Sequence, residues 1–520
     1  MGRRDADRAV STAPVQASYD VVVVGSGGGA LTAAALAARA GLSTVVLERT
    51  PLIGGTSAYS GGACWLPGSE VQQRAGLPDS TEGARAYLAA VLEDPDATKV
   101  EAFLAHAPEL VAELEADELM DFEWIPFSEY YDAPGRVPMG RSIQPVSIKR
   151  DQLDPAVTEL LRPPVERDRA GTPGRFTLSG GQALIARLAA MFVRDGGTLA
   201  TEHHVVDVRR DAGDPIAGVV VETPDGTVEI EARRGVVVAA GGFEGSPERR
   251  AQHGTPGSAE WTMAPRGTNT GDVIEACAKA GAATDYSGEG WFCPGLAHPD
   301  GSGTFTLGFR SGLMVDQSGR RYGNECLPYD RFGRIMAEAP ERIPSWFVFD
   351  HREGGRLPAI AMPEGDPADH LAAGTWVAAV TIAELAAAIE IDPDVLAATV
   401  ARFNGFAASG VDEDFGRGED EYDTFFVFSD DAGPNKALTP VEQPPYVAAK
   451  FVLSDLGTKG GLVTDAAGRV LDAASGDPIP GLYASSNSVA SVFGSRYPGP
   501  GAPLGAAMVF GSLAVRDLLG

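Results

Sequence analysis

At 520 residues with 44% hydrophobic side chains, the chain can bury enough apolar surface to fold fully but is too long for one core, so two domains are expected, one interrupted by the other. A formal net charge of −29 excludes nucleic acid and anionic membranes as general partners, since polyanions repel it, and leaves a neutral substrate open. The four cysteines, Cys64, Cys277, Cys293 and Cys326, stand far apart without a C-x-x-C pair, which excludes a zinc ribbon or disulfide framework and fits reduced thiols in a cytoplasmic setting.

In chain order, residues 1–18 read as a mobile tail. Arg3, Arg4 and Arg8 are followed by no apolar run before Tyr19, so no signal peptide is indicated. No run of about twenty apolar residues occurs, so no integral membrane segment is expected. Tyr19 to Glu48 then reads as strand, glycine turn, helix and second strand. The β-branched run Val21–Val24 suits a parallel strand buried on both faces. Gly25, Gly27 and Ala30 follow in G-x-G-x-x-A spacing, with Gly28 and Gly29 between them. The first glycine permits the tight turn, the second lets a pyrophosphate approach the backbone, and Ala30 keeps helix and strand close. An alanine-rich helix over Leu31–Ala40 would point unpaired N–H groups at that phosphate. Glu48 closes the second strand, 23 residues after Gly25, where its carboxylate can accept from a ribose with a free 2′-hydroxyl.

Beyond it, Gly54, Gly55, Gly61 and Gly62 bracket Thr56, Ser57 and Ser60, a loop through which backbone can press on a flat ligand while hydroxyls meet phosphate and ribityl oxygens. Residues 81–117 read as helix, 121–141 as an aromatic, irregular cavity wall, and 177–197 as a glycine turn and helix. Strands are expected at His204–Val208, Val219–Glu222 and Val236–Ala239, the last running into the small-residue turn Ala239–Gly245. Composition shifts from Trp291 to Ser454 toward aromatic, proline and charged residues, marking an inserted substrate domain. Ser454–Asp465 returns to the first domain, and after Pro498 and Pro500 a closing helix is expected from Ala506 to Leu519, opened by Gly505. The expected fold is therefore α/β, a Rossmann-type FAD-binding domain (19–290 and 455–520) interrupted by a smaller α+β catalytic domain (291–454). His203, His204 and His351 show no ligand-like spacing and read as structural or solvated; no metal site is expected.

With the fingerprint, GGTSAYSG, NECLPYDRFG, LGTKGGLVTD and YPGPGAPLG in order, the chain closely resembles the FAD-dependent 3-ketosteroid Δ1-dehydrogenases, within the wider class of fumarate reductase flavoproteins. The resemblance runs from about Tyr19 onward; EYY at 129–131, LPY at 327–329 and YPGPG at 497–501 are its specific parts. It implies that Tyr497 and the Gly501 amide hold a steroid 3-keto oxygen. Tyr329 would take the proton from carbon 2, a third tyrosine would assist it, and hydride from carbon 1 would pass to flavin N5. The assisting position matches Tyr130, with Tyr131 left open beside it. The candidate FAD contacts are Gly25, Gly27, Gly28, Gly29, Ala30, Glu48, Gly55, Thr56, Ser57, Ser60, Gly61 and Gly62, with Val205, Ala240, Gly241, Asn487, Pro503 and Leu504 from later turns.

A tyrosine base has an ordinary pKa of about 10, so a donor beside it must favour the phenolate, and an alkaline optimum is expected. The positive end of the closing helix should face the flavin's pyrimidine edge. Competing expectations are a Δ4-dehydrogenase, a fumarate-type dicarboxylate reductase drawing on Arg310, Arg320, Arg321 and Arg331, and a flavin carrier without turnover. An external electron acceptor is required, a quinone among the candidates, and no NAD(P) site is indicated.

Overall fold

The computed structural model describes residues 15–210, 214–427 and 433–520. Of the expected tail, residues 1–14 lie outside these, and Ser18 already belongs to the first strand. One sheet is built around parallel strands, in the spatial order Pro478–Ala484, Gly226–Val238, Ser18–Val24, Thr44–Leu47 and Thr198–Ala200. Strand Arg469–Leu471 adds antiparallel to its edge, and the hairpin His204–Arg209/Gly218–Thr223 pairs with the first half of Gly226–Val238. Val21 to Val24 are buried on both sides, which is why that stretch is unbroken valine rather than alternating.

A helix spans Gly28–Arg39, starting before the expected Leu31 because the glycines carry the first turn themselves. Its alanine face packs on the closing helix so tightly that a Cβ at Gly511 would fall 2.5 Å from the Gly29 carbonyl oxygen. The closing helix runs Ala502–Leu519, also earlier than expected, since Pro503 fits the first turn, where a backbone N–H has no helical partner. At 18 residues and mean hydropathy 1.4 it is long and apolar enough to cross a membrane by composition, against the expectation that no segment would be; 67% of it is buried inside the fold. The expected helix at 81–117 is two, Thr81–Val91 and Ala97–Glu115.

A second, antiparallel sheet has the order Leu313–Val315, Ser345–Phe349, Tyr446–Thr458, Gly290–Ala297, Gly303–Leu307 and Ile360–Ala361, with Trp376–Ala379 also on Tyr446–Thr458. Helix Tyr329–Ala337 lies on it, burying Phe332 and Met336 against Phe309, Phe347 and Phe451, which leaves Tyr329 at the helix start, facing the first sheet's ligand crevice.

The loop 497–501 is held from below by buried charge. Arg141 is fully buried, donates to Glu129 (2.6 Å) and Asp79 (2.9 Å), and lies 5.4 Å from the Trp65 ring centroid. Glu129 also accepts from Trp65 Nε1 at 2.9 Å. Tyr87 donates to the Pro498 carbonyl (2.6 Å) and Ser142 to that of Pro500 (2.6 Å). Removing one member of a buried pair strands the others, so Arg141→Met should lower stability by about 3–5 kcal/mol, read as a fall in the urea midpoint at unchanged m-value.

Candidate active site

Four parallel strands end at one crevice. Gly25 to Gly27 follow the first strand, Glu48 the second, Ala239 to Gly242 the third, and Ser486 and Asn487 the last; all line a single elongated cavity. Open parallel sheets bind ligands at such ends. At Gly25, with φ +100°, a Cβ would lie 2.4 Å from the Ala239 carbonyl oxygen, so only glycine permits the turn. Glu48 is held by Ser26 Oγ (2.5 Å) and by the Thr50 amide (2.8 Å), which aims its carboxylate along the wall. The Gly54 amide in turn donates to Ser26 Oγ (2.9 Å).

Of the cofactor residues expected from sequence, Gly25, Gly27, Glu48, Gly55, Thr56, Ser57, Ser60, Gly61, Gly62, Val205, Ala240, Gly241, Asn487, Pro503 and Leu504 all line this cavity. Gly28, Gly29 and Ala30 do not: a Cβ at Gly28 would meet Leu504 and one at Gly29 would meet Ser486 and Ala507, so these small residues seat the helix. His203 and His204, expected to be structural or solvated, line the polar end beside Glu48; His203 Nδ1 lies 2.7 Å from the Thr201 carbonyl.

Sequence reasoning missed several wall residues. Ser26 stands inside the fingerprint and could have been found by asking what orients the acid, whereas Arg49, next to Glu48 in sequence, is paired with Thr270 and Asp272. Asn269, at φ +53°, lines the cavity with its amide donating to Glu244 (2.5 Å), whose buried carboxyl is pushed up to about 6. Met263, Phe305, Leu307 and Met362 close the far end, joined by Phe127 from the expected aromatic wall.

That apolar end holds the tyrosines. Tyr329 donates to the Tyr497 hydroxyl oxygen at 2.8 Å, and both line the cavity. The Gly501 amide faces the same Tyr497 oxygen from the residue that caps the start of the closing helix. Tyr130 sits behind the wall, edge-on to Tyr329 and Tyr497 at ring distances of 5.4 and 5.2 Å, its buried hydroxyl unpartnered. Tyr131 instead packs against Arg331 and Arg496, at 5.1 and 5.8 Å, which leaves Tyr130 as the tyrosine beside Tyr329. Burial drives the Tyr329 hydroxyl well above the ordinary tyrosine range, and Tyr497 adds to the rise, whereas the Tyr130 hydroxyl pulls it back. Tyr497 is raised as well, chiefly by burial, and so stays a donor.

The cavity thus offers glycine backbone, hydroxyls and an acid at one end and a flat apolar slot at the other, a donor set that fits FAD. The Gly25–Gly27 turn with the adjoining helix start would meet its pyrophosphate, Glu48 its ribose, and residues 55–62 with Asn487 and Leu504 the flavin half.

The chain matches the family of FAD binding domains over residues 20–504. A 3-oxosteroid 1-dehydrogenase of Rhodococcus opacus is 39% identical over 518 residues, covering 96% of this chain and 98% of the relative. A 4-oxocyclohexanecarboxylate 2-dehydrogenase of Sinomonas cyclohexanicum is 35% identical, covering 97% of this chain and 93% of the relative. Among solved structures, a 3-ketosteroid delta1-dehydrogenase from Sterolibacterium denitrificans, in complex with 1,4-androstadiene-3,17-dione, aligns with a TM-score of 0.88 at 31% identity, covering 97% of this chain and 99% of the other.

Gly25→Ala tests the cradle: the protein should purify colourless, its visible flavin absorbance lost, while far-ultraviolet circular dichroism stays that of the parent.

Proposed function

The chain belongs to the FAD-binding flavoproteins, among the 3-oxosteroid 1-dehydrogenases, and on that footing we propose that it desaturates the A ring of 3-ketosteroids through Tyr329, Tyr497, Gly501 and Tyr130. It is an FAD-dependent oxidoreductase. The observation that carries the assignment of these residues is the 2.8 Å contact between the Tyr329 and Tyr497 hydroxyls at the apolar end of the cavity, with the Gly501 amide aimed at the same point.

A 3-keto oxygen placed there accepts from the Tyr497 hydroxyl and the Gly501 N–H. Carbon 2 is acidified by that carbonyl, and as its proton leaves to Tyr329 the negative charge gathers on the oxygen between the two donors. Each such donor is worth about 3–4 kcal/mol of barrier in comparable sites. Tyr130, whose hydroxyl is otherwise unpartnered, would offset part of the cost of a buried Tyr329 phenolate by donating to it. Bound FAD would supply the acceptor for hydride from carbon 1, and an external acceptor, with quinones among the candidate classes, would take up the electrons. The slot made by Phe127, Met263, Phe305, Leu307 and Met362 excludes water from these steps.

We read residues 291–454 as the catalytic domain and 19–290 with 455–520 as the FAD-binding domain, in a cytoplasmic enzyme. A steroid is favoured over a small keto acid or dicarboxylate because the described residues that close the apolar end, Phe127, Met263, Phe305, Leu307 and Met362, present no cation to a carboxylate. Of the arginines that a dicarboxylate would call on, Arg310 pairs with Glu353, Arg321 with Glu325 and Asp412, and Arg331 donates to the Tyr130 carbonyl; neither these nor Arg320 lines the cavity. Arg162 does line it but is paired with Asp168 at 2.7 Å.

Mixed anaerobically with androst-4-ene-3,17-dione, the holoenzyme should bleach and yield a product two hydrogens lighter. Tyr329→Phe should keep its flavin and lose turnover by about 10²–10⁴-fold, the worth of a positioned base; a flavin carrier would be indifferent to that change. Because the reactive form of Tyr329 is deprotonated and burial holds its pKa high, kcat/KM should climb with pH well past neutrality. A profile already flat at neutral pH would refute a tyrosine base.

A further inference from the structure

Behind the tyrosines lies a buried cation that the tyrosine chemistry does not use. Lys459, between strands Tyr446–Thr458 and Gly461–Leu462, is 2% exposed. Its Nζ donates to the Ser495 carbonyl at 2.8 Å, lies 3.5 Å from Asp330 Oδ1, and sits 4.4 Å from the centre of the Trp291 ring. Each partner leads to a reacting tyrosine. Asp330 follows Tyr329 in the first turn of its helix. Ser495 precedes Tyr497 by two residues in the loop. The Trp291 ring stands edge-on to Tyr497 at 5.0 Å, and its Nε1 donates to Asn487 Oδ1 (3.0 Å) on the cofactor wall.

Arg334, later on the Tyr329 helix, donates to the same Ser495 carbonyl at 2.7 Å and is anchored by Glu289 at 2.5 Å. One carbonyl beside Tyr497 is thus gripped by a cation from each side, one of them on the element that carries Tyr329. The second Asp330 oxygen is buried without a hydrogen-bond partner, and Lys459, with Arg334 adding to the field, is the cation in contact with this carboxylate. An apolar pair in place of Lys459 and Asp330 would fill the space without the cost of burying an ammonium and a carboxylate.

We propose that Lys459 is a positioning residue that clamps the Tyr497 loop to the helix of Tyr329, through Asp330 and the Ser495 carbonyl, and thereby fixes the spacing of proton acceptor and keto-oxygen donor. This rests on the roles proposed for Tyr329 and Tyr497. Misplacing reacting groups by about 1 Å costs roughly a hundredfold in rate, so a loosened clamp should be read in the chemical step rather than in cofactor retention.

The test uses Lys459→Met holoenzyme, which keeps side-chain length and removes the charge and the donor. Stopped-flow bleaching by androst-4-ene-3,17-dione should slow by about ten- to a hundredfold. Flavin content should hold, and reoxidation of dithionite-reduced enzyme by phenazine methosulfate should keep its parental rate. In a cycle with Asp330→Asn, the double variant should be no slower than Lys459→Met alone, since both act through one clamp. Bleaching at the parental rate, equal slowing of both half-reactions, or strictly additive effects would each overturn the clamp. If Lys459→Met does not accumulate as holoenzyme, the isosteric Asp330→Asn decides: selective slowing of bleaching supports the proposal and a parental rate refutes it. An active Tyr329→Phe would instead bring down the tyrosine assignment on which the clamp rests.

Discussion

The site depends on one steric constraint, the contact of the Gly25 turn with the Ala239 carbonyl at the ends of adjacent parallel strands. Because no side chain fits there, the backbone itself forms the floor of the crevice, and the neighbouring strand ends deliver Glu48, Gly241 and Asn487 to the same wall. The helix after the turn can then lie flat against its neighbours only by being mostly alanine and glycine. The first sheet thus makes a binding surface with few side chains.

The second sheet contributes the opposite kind of chemistry. It is rich in aromatics and brings Tyr329, Phe305 and Leu307 over the crevice, where all three are buried. Burial works against ionising any tyrosine there, so reactivity cannot come from desolvation. On the proposed roles it depends on the order of the neighbouring hydroxyls: Tyr130 draws the Tyr329 pKa down, whereas the hydrogen bond that Tyr329 donates to Tyr497 raises it and has to be given up when Tyr329 acts as a base. The buried Arg141 cluster beneath the loop and the Lys459 cluster beside it hold this order from two sides.

How much of this was legible in the sequence depends on how local each signal is. The dinucleotide fingerprint and the acid closing the second strand are set by spacing within a single βαβ unit, and the structure forms that unit. The three tyrosines could be assigned only through the resemblance, because 199 residues separate Tyr130 from Tyr329 and 168 separate Tyr329 from Tyr497, and no periodicity connects them. Placing Tyr130 rather than Tyr131 beside Tyr329 needed the ring environments themselves. Asn269, Glu244, Trp291 and Lys459 were invisible for the same reason: each acts through partners contributed by distant segments. Both helix starts lie earlier than the sequence suggests because glycine and proline read as helix breakers, although at a first turn glycine is tolerated and proline is favoured.

The closing segment bears on the order of synthesis. Strand Pro478–Ala484 completes the parallel order next to Gly226–Val238, and the helix Ala502–Leu519 supplies the partner against which the first helix packs. Tyr497 and Gly501 lie between them. A chain emerging from the ribosome therefore carries its fingerprint early, yet has no finished crevice until residues 478–519 have left the tunnel. Completion of the crevice is thereby tied to synthesis of the strand and helix within 478–519, long after its glycine turn has been made.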